Sequence, residues 1–297
     1  KSSSGIEATI DEDNDEILRD HYQEVFNRHA EVDLSVLEEI PQHPIQEQLG
    51  KPPSYKEIKR AIKNMTNDKA PGDSGMTTDM MKTLPPKALL FHSELICEFW
   101  KNDEIDFDSW HTTLLTTIYK GKGNPQDPNN HRGICLKETS QKNLSIIISQ
   151  RLLSRLNTIG SHSQFGHIGC QEAHHTLKRA LLLRRQHGLE SHVLFVDLIK
   201  AFDTIQHDLL ILILQKYGLP NKLTSIIVKL YKDSKVKIKL GKFKILINYT
   251  TGVHQGDNMS SGLFLFVIQA FLDTLKIEAQ PIEFSYFPEN KNGNTHM

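Results

Sequence analysis

The stretch H-V-L-F-V-D-L-I-K-A-F-D-T-I, residues 192–205, contains the clearest strand pattern of the chain. It includes the unbroken apolar run 193–196, and such a run predicts a strand that is buried on both faces. Asp197 follows directly, so the pattern puts a carboxylate at the end of a rigid strand, where it is a good ligand for a hard cation. The alternative is that Asp197 caps a helix N-terminus or forms a salt bridge, and this segment alone favours that alternative. For Asp203, six residues further on, we expect helix capping or an ion pair.

The chain on both sides of this stretch is mostly helical by pattern. Ser54 and Glu57 form an S-x-x-E capping box that starts one helix, and an acidic helix over 12–28 carries Tyr22, Val25 and Phe26 on one face. The segment V-K-I-K-L-G-K-F-K-I-L-I-N, residues 236–248, alternates with period two and predicts a β-hairpin. The fold class is therefore α+β. The remaining predicted elements are a strand at 113–119, a glycine-rich loop after it, and helices over 76–84, 87–100, 140–157, 171–187, 207–217 and 263–275, with one further helix that ends at Tyr231.

Composition excludes several classes of protein. Hydrophobic residues make up 38% of the 297 residues and charged residues 24%, which is a globular composition. The three cysteines are widely spaced and odd in number, so they exclude a disulfide framework and indicate a reducing compartment. No apolar run is long enough to cross a bilayer and no secretory signal is visible. We therefore expect an intracellular protein that is not secreted and has no membrane partner, with the nucleus as a possible location.

Charge is distributed unevenly along the chain. Residues 1–50 carry 3 Lys and Arg against 13 Asp and Glu, whereas the rest carries 32 against 23. A basic body is compatible with a polyanionic partner, although charge alone favours a solvated surface with a flexible acidic leader. If the acidic leader masks the basic body, deletion of residues 1–50 strengthens polyanion binding.

Four motifs in order carry a resemblance to a known family. They are D-K-A-P-G-D-S-G-M at 68–76, D-P-N-N-H-R-G-I-C-L at 127–136, F-V-D-L-I-K-A-F-D-T-I at 195–205 and G-V-H-Q-G-D-N-M-S-S-G-L-F at 252–264. Together they resemble the reverse transcriptases of non-LTR retrotransposons, over about residues 54–275. The resemblance implies the fingers and partial palm of a right-hand polymerase, helix-rich with a small antiparallel sheet. The domains it implies are an acidic helix and linker at 1–53, a fingers-like region at 54–192, a partial palm at 193–280 and a polar tail at 281–297.

The resemblance also implies roles for single residues in catalysis. Asp197 would hold the catalytic Mg²⁺ pair, with the Leu198 carbonyl as a further ligand, because one ion activates the primer hydroxyl and the other neutralises the triphosphate. Phe202 matches the position whose ring excludes a ribose 2′-hydroxyl. An ordinary core aromatic is the alternative for Phe202, and the sequence alone favours it.

Other matched residues are implied to bind the nucleotide. Arg132 matches the fingers arginine that grips the incoming triphosphate, because a guanidinium offers paired donors to phosphate. Gln255 and Gly256 match the loop that contacts the incoming sugar and base. Lys120 and Lys122 lie in the loop before Arg132 and add positive charge there. Lys120 is assigned to the nucleotide and Lys122 to the nucleic acid, and a solvated surface lysine is the alternative for each.

Alternate lysines of the predicted hairpin share one face. Lys237, Lys239 and Lys242 could therefore contact a nucleic-acid backbone, which positions a duplex without reading its bases. A solvated outer face is the slightly favoured alternative.

The partners implied are an RNA template, a DNA primer and deoxynucleoside triphosphates. The aromatic-Ala-Asp-Asp segment that supplies the family's other metal ligands does not occur in the sequence. We therefore expect an incomplete polymerase domain that does not extend a primer by itself. The alternative is a non-catalytic retroelement remnant that at most binds nucleic acid.

Overall fold

The computed structural model describes residues 11–275 except 29, 162, 163, 167, 241 and 242, and only the backbone of 11–15, 240 and 243. Eleven α-helices and four strands lie in this described part of the chain, which confirms the α+β class. The helices are α1 (Asp11–Phe26), α2 (Val36–Glu39), α3 (Tyr55–Lys63), α4 (Thr78–Lys82), α5 (Pro86–Lys101), α6 (Asp108–His111), α7 (Thr139–Ile159), α8 (Cys170–Gln186), α9 (His207–Lys216), α10 (Asn221–Tyr231) and α11 (Asn258–Thr274). The strands are β1 (Thr112–Tyr119), β2 (His131–Leu136), β3 (Lys235–Leu240) and β4 (Phe243–Asn248).

The four strands form one sheet in the order β2-β1-β3-β4. The pairs β1–β2 and β3–β4 are antiparallel, as expected for hairpins, but β1 and β3 run parallel. The predicted small antiparallel sheet is therefore a mixed sheet. The reason lies in the connection: four helices, α7 to α10, separate β1 from β3, and a crossover of that length allows the chain to return in the same direction.

Strand β2 is an element that the sequence patterns missed, as are the four-residue helices α2 and α6. Residues 120–133 were predicted to form a glycine-rich loop, yet the chain turns at Gly121 and Gly123, both with positive φ, and re-enters the sheet at His131. Arg132 pairs with Ile118 in the β1–β2 register. Thus Arg132 is held by a strand and not by a mobile loop.

Helix α7 forms the centre of the core and packs against α3 and α11. Its residues Leu144, Ile147, Ile148 and Leu152 are fully buried at helical spacing. Gly262 of α11 faces this helix: a Cβ added at Gly262 would lie 3.3 Å from the Leu152 side chain, so the two helices approach closely.

The predicted capping box is confirmed at α3. The Ser54 hydroxyl accepts from the Glu57 N–H at 3.2 Å, and the Glu57 carboxylate accepts from the Ser54 N–H at 3.4 Å. Both bonds satisfy backbone donors that a helix start leaves free.

The predicted buried strand at 192–198 is wrong. These residues form no strand, and Leu194, Phe195 and Val196 are 86%, 81% and 75% exposed. A buried strand needs neighbours that accept its backbone hydrogen bonds, and none of the four described strands pairs with this segment. The apolar run at 193–196 indicates only that these residues favour burial. Whether they are buried depends on another segment that packs against them.

Among the residues that the structure describes, none of the helices combines the length and the apolar character that a bilayer crossing requires. Lys242 and the predicted polar tail at 281–297 lie outside the described residues.

Candidate functional site

The loop between β4 and α11 begins the motif at 252–264. It contacts the two segments that carry the motifs at 127–136 and 195–205. The Val253 N–H donates to the Phe202 carbonyl at 2.8 Å, and the Gln255 carbonyl accepts from the Cys135 N–H at 2.7 Å. Residues 252–257 are thereby fastened to β2 on one side and to the 202–205 segment on the other.

Gly256 allows this close approach to β2. Its φ is +98°, a conformation that favours glycine, and an added Cβ would lie 2.9 Å from Ile134 Cγ2. Gly256 also lines a cavity of about 630 Å³, together with Lys142 and Gln150.

Gln255 and Asp203 form a hydrogen-bonded pair. The Gln255 Nε2 lies 3.0 Å from each carboxylate oxygen of Asp203. Burial raises the pKa of Asp203, and the amide donor opposes that rise. Asp203 was expected to cap a helix or form an ion pair. Its described hydrogen-bond partner is instead the Gln255 amide, which the motif resemblance had assigned to nucleotide binding.

One cavity of about 180 Å³ brings together three of the five residues that the resemblance assigns to the nucleotide. Lys120, Arg132 and Gln255 all line it, although they come from the end of β1, from β2 and from the loop before α11. The complete lining is His21, Tyr22, Val25, Phe26, Lys120, Asn129, His131, Arg132, Gly133, Lys200, Asp203 and Gln255.

The cavity has a cationic lining. Lys120, Arg132 and Lys200 contribute three positive charges, and Asp203 is the one carboxylate among the lining residues. The Lys120 ammonium donates to the Asn129 carbonyl at 2.6 Å, which orients it along the wall. Lys200 has φ +49°, an uncommon backbone conformation for a residue with a side chain. Converging cations of this kind attract a polyanion.

Helix α1 forms a wall of the cavity that the sequence motifs do not indicate. Tyr22, Val25 and Phe26 are buried, and a Cβ added at Gly133 would lie 3.1 Å from Tyr22 Cε1. The Phe26 carbonyl accepts from the N–H groups of Thr250 and Thr251, each at 3.0 Å. The acidic helix predicted over 12–28 is therefore confirmed as α1, and the flexible leader that charge alone favoured is wrong for this helix. Deletion of residues 1–50 would remove core residues and not merely uncover a basic surface.

A buried ion pair lies beneath the same loop. Lys137 Nζ and Asp257 Oδ2 are 2.8 Å apart, and both side chains are almost fully buried. Neither group has another hydrogen-bond partner among the described residues. Asp257 follows Gly256 directly, so the pair anchors the end of the Gln255–Gly256 loop. Sequence analysis missed Lys137 because an isolated lysine after a strand is usually exposed.

Asp197 and Leu198 lie outside this assembly. Both are exposed, and Asp197 has no hydrogen-bond or ion-pair partner in the described part of the chain. The described residues include no group of three His, Cys, Asp or Glu side chains arranged to hold a metal ion. The next carboxylate along the chain after Asp197 is that of Asp203, which accepts a hydrogen bond from Gln255. The described residues therefore do not fit a Mg²⁺ pair.

Phe202 does not line the cavity. Its ring stacks on that of Phe264 with centroids 4.7 Å apart and is half-buried, while its carbonyl holds the loop through Val253. Phe202 is thus packed as an ordinary core aromatic, which was the alternative to a role at the sugar.

The lysines proposed for nucleic-acid contact have different surroundings. Lys237 donates to Asp73, and Lys239 Nζ lies 2.8 Å from the same carboxylate. The Lys237 hydrogen bond, followed by that of Lys239, lowers the pKa of Asp73 to about 2. Lys122 is exposed in the turn after β1. Lys122 is therefore more accessible to a polyanion than the two paired lysines of β3.

Comparison with known proteins agrees with the three motifs that begin at residues 127, 195 and 252. The family model described as "Reverse transcriptase (RNA-dependent DNA polymerase)" matches residues 119–287, more than half of the chain. These residues include β2, the 252–257 loop and all three cavity residues that the resemblance named.

Relatives of the chain come from transposable elements. The "Transposon TX1 uncharacterized 149 kDa protein" of Xenopus laevis is 27% identical over 77% of the chain and 18% of its own length. A "Retrovirus-related Pol polyprotein from type-1 retrotransposable element R2" of Popillia japonica is 29% identical over 56% of the chain and 24% of its own length. The "Probable RNA-directed DNA polymerase from transposon BS" of Drosophila melanogaster is 27% identical over 54% and 18%.

The matching family model, together with the order of the motifs, places the chain in the class of template-directed polymerases. The chain belongs to the reverse transcriptase family. It spans a quarter or less of the length of these curated relatives.

Proposed function

We propose that this chain forms the nucleotide-binding part of an RNA-directed DNA polymerase of a non-LTR retrotransposon. The observation that carries the proposal is the convergence of Lys120, Arg132 and Gln255 on one cavity. The motifs assign these residues to the incoming nucleotide, and they come from three separate elements. The polymerase family named by the matching model supplies the reaction class.

The charges of the cavity suit the phosphates of a deoxynucleoside triphosphate. The Arg132 guanidinium offers paired donors to phosphate oxygens, and Lys120 adds a point charge. Gln255 can donate to a ligand after its amide turns away from Asp203. Phe202 stacks on Phe264 outside this cavity, so the proposal does not include it in the nucleotide site.

The partners follow from the same proposal. We assign residues 54–192 to fingers and 193–280 to a partial palm, between which an RNA template and a DNA primer would lie. Lys122 is the proposed lysine contact to the nucleic-acid backbone, since Lys237 and Lys239 are paired with Asp73.

Nucleotide binding is the first test of the proposal. The full chain is titrated calorimetrically with dTTP, beside Arg132→Ala and the control Arg179→Ala, which alters an exposed arginine of α8. Loss of a charge-assisted contact weakens binding by about 10- to 100-fold, so we expect that change in Arg132→Ala only. Equal affinities in all three proteins would contradict the proposal.

Catalysis by these 297 residues alone is not part of the proposal, because Asp197 is exposed and the described residues contain no group of three His, Cys, Asp or Glu side chains that could hold a metal ion. This position favours the second candidate function, nucleic-acid binding without polymerisation. Primer extension on an RNA template decides between them, with Asp197→Ala as control. Extension that disappears in the control would show that the chain is catalytically complete, whereas its absence in both proteins supports the non-catalytic candidate.

A further inference from the structure

Helix α1 precedes the region that the reverse transcriptase model matches, yet it closes one side of the cavity. His21 lies on this helix and lines the cavity together with Lys120, Lys200 and Arg132. None of the four polymerase motifs includes α1. We propose that His21 is a ligand-contacting residue of this site and hydrogen-bonds a phosphate oxygen of the bound triphosphate. This inference rests on the proposed function and adds a residue and a wall to its site.

The position of His21 is fixed by the packing of α1. Its ring lies edge-on to that of Tyr22, with centroids 5.0 Å apart, and Tyr22 stacks on Phe26 at 5.4 Å. Phe26 in turn contacts Tyr249 at 4.9 Å. A chain of rings therefore connects His21 to the end of β4, just before the loop that carries Gln255.

The C-terminal end of α1 is fastened to the same loop. Thr250 and Thr251 donate to the Phe26 carbonyl, and the Asn27 amide donates to the Asn248 carbonyl at 2.9 Å. The two ends of the site, His21 and Gln255, are thus held at a set separation by backbone contacts. Preorganised groups bind a ligand without a further ordering cost.

The surroundings of His21 indicate an anion as its ligand. Burial, and next the positive charge of Lys200, lower the pKa of His21 to about 4, so the imidazole is neutral at pH 7. A neutral imidazole has one N–H donor, which suits a phosphate oxygen. The described charged groups that act on His21 are Lys200, Lys120, Glu24 and Asp127, and the cavity adds Arg132 and Asp203.

Bound polyphosphate would also oppose the effect of Lys200 and Lys120 on the pKa of His21. An adjacent anion favours the charged imidazolium, so binding is coupled to proton uptake by His21. We therefore expect affinity for polyphosphate to rise as pH falls from 8 towards 5.5. The groups other than His21 titrate in a His21 variant as well, so a comparison with His21→Gln isolates the histidine contribution.

The experiment is a calorimetric titration of the full chain with inorganic tripolyphosphate in EDTA. The variants are His21→Ala, His21→Gln, Arg132→Ala and the control Gln23→Ala, which changes an exposed side chain on the same helix. At pH 7 we expect His21→Ala to weaken binding about tenfold, the effect of one hydrogen bond to a charged group. Gln23→Ala should bind like the unaltered chain. His21→Gln should bind with a weaker pH dependence.

Two further outcomes separate the two proposals. Unchanged affinity in His21→Ala, together with weakened binding in Arg132→Ala, would overturn the role of His21 and leave the proposed function intact. Absence of tripolyphosphate binding by the unaltered chain would overturn both. Thermal unfolding of each variant is recorded in parallel, and a His21→Ala protein that melts with the unaltered chain excludes loss of fold as the cause of weaker binding.

Discussion

The Lys137–Asp257 pair allows a quantitative prediction about the loop at the site. The two charged atoms are 2.8 Å apart, with side chains 1% and 0% exposed. Lys137→Met would leave the Asp257 carboxylate buried without its counter-charge. Removal of one partner of a buried pair costs about 3–5 kcal/mol, so we expect the free energy of unfolding to fall by that amount.

A double variant separates the charge from the packing. Lys137→Met with Asp257→Asn removes both charges, and we expect it to recover about half or more of the loss, because no unpaired charge remains. Lys101→Met is the matched control: Lys101 lies 3.8 Å from Glu98, and both side chains are more than half exposed. Exposed pairs contribute about 0–1 kcal/mol, so this control should change little.

Urea unfolding of the full chain, followed by far-ultraviolet circular dichroism, measures these differences. A loss below about 1 kcal/mol in Lys137→Met would refute the reasoning, because it would mean that water reaches the Asp257 carboxylate. A double variant as unstable as Lys137→Met would show that lost packing, and not the unpaired charge, causes the change.

Three further predictions use the same unfolding assay. Phe195→Ala should cost less than about 0.5 kcal/mol because the ring is 81% exposed; a loss of about 3–5 kcal/mol would instead indicate a buried strand. Gly256→Ala should cost about 1–3 kcal/mol, since φ is +98° and the new Cβ meets Ile134, and wild-type stability would contradict this close approach. Burial keeps His254 neutral and holds its pKa well below 6.5, so only the unfolded chain takes up its proton below pH 6.5. Its contribution to stability is therefore present above pH 6.5 and lost as pH falls, by about 2 kcal/mol between pH 7 and pH 5. His254→Phe should remove that part of the pH dependence, and an unchanged profile would show that His254 can be charged in the folded chain.

The cavity shows which site residues can be found from sequence. Lys120, Arg132 and Gln255 were predicted because they lie in or beside motifs with a family order, and the structure brings all three to one cavity. His21 and Lys200 have no such motif. The signal for α1 was its apolar stripe of Tyr22, Val25 and Phe26, which indicated a packed face, although it could not indicate against what the helix packs.

Lys137 illustrates a different limit. A lysine is buried when a carboxylate is placed against it, and Asp257 lies 120 positions further along the chain. Local sequence patterns contain no information about the contact between Lys137 and Asp257. The same holds for Gln255, whose amide lies against Asp203 only because two loops are fastened together by backbone bonds.

The sequence by itself determined the helices other than the four-residue α2 and α6, the α3 cap, both hairpin strands β3 and β4, and the family. Helical spacing, capping and turn chemistry act over a few residues, and the motifs keep their order along the chain. Only the tertiary structure decided the parallel β1–β3 pair, the α1 wall of the cavity and the exposure of residues 193–198. Each of these depends on which distant segment lies alongside, because a backbone hydrogen bond or a buried face exists only when both partners are present.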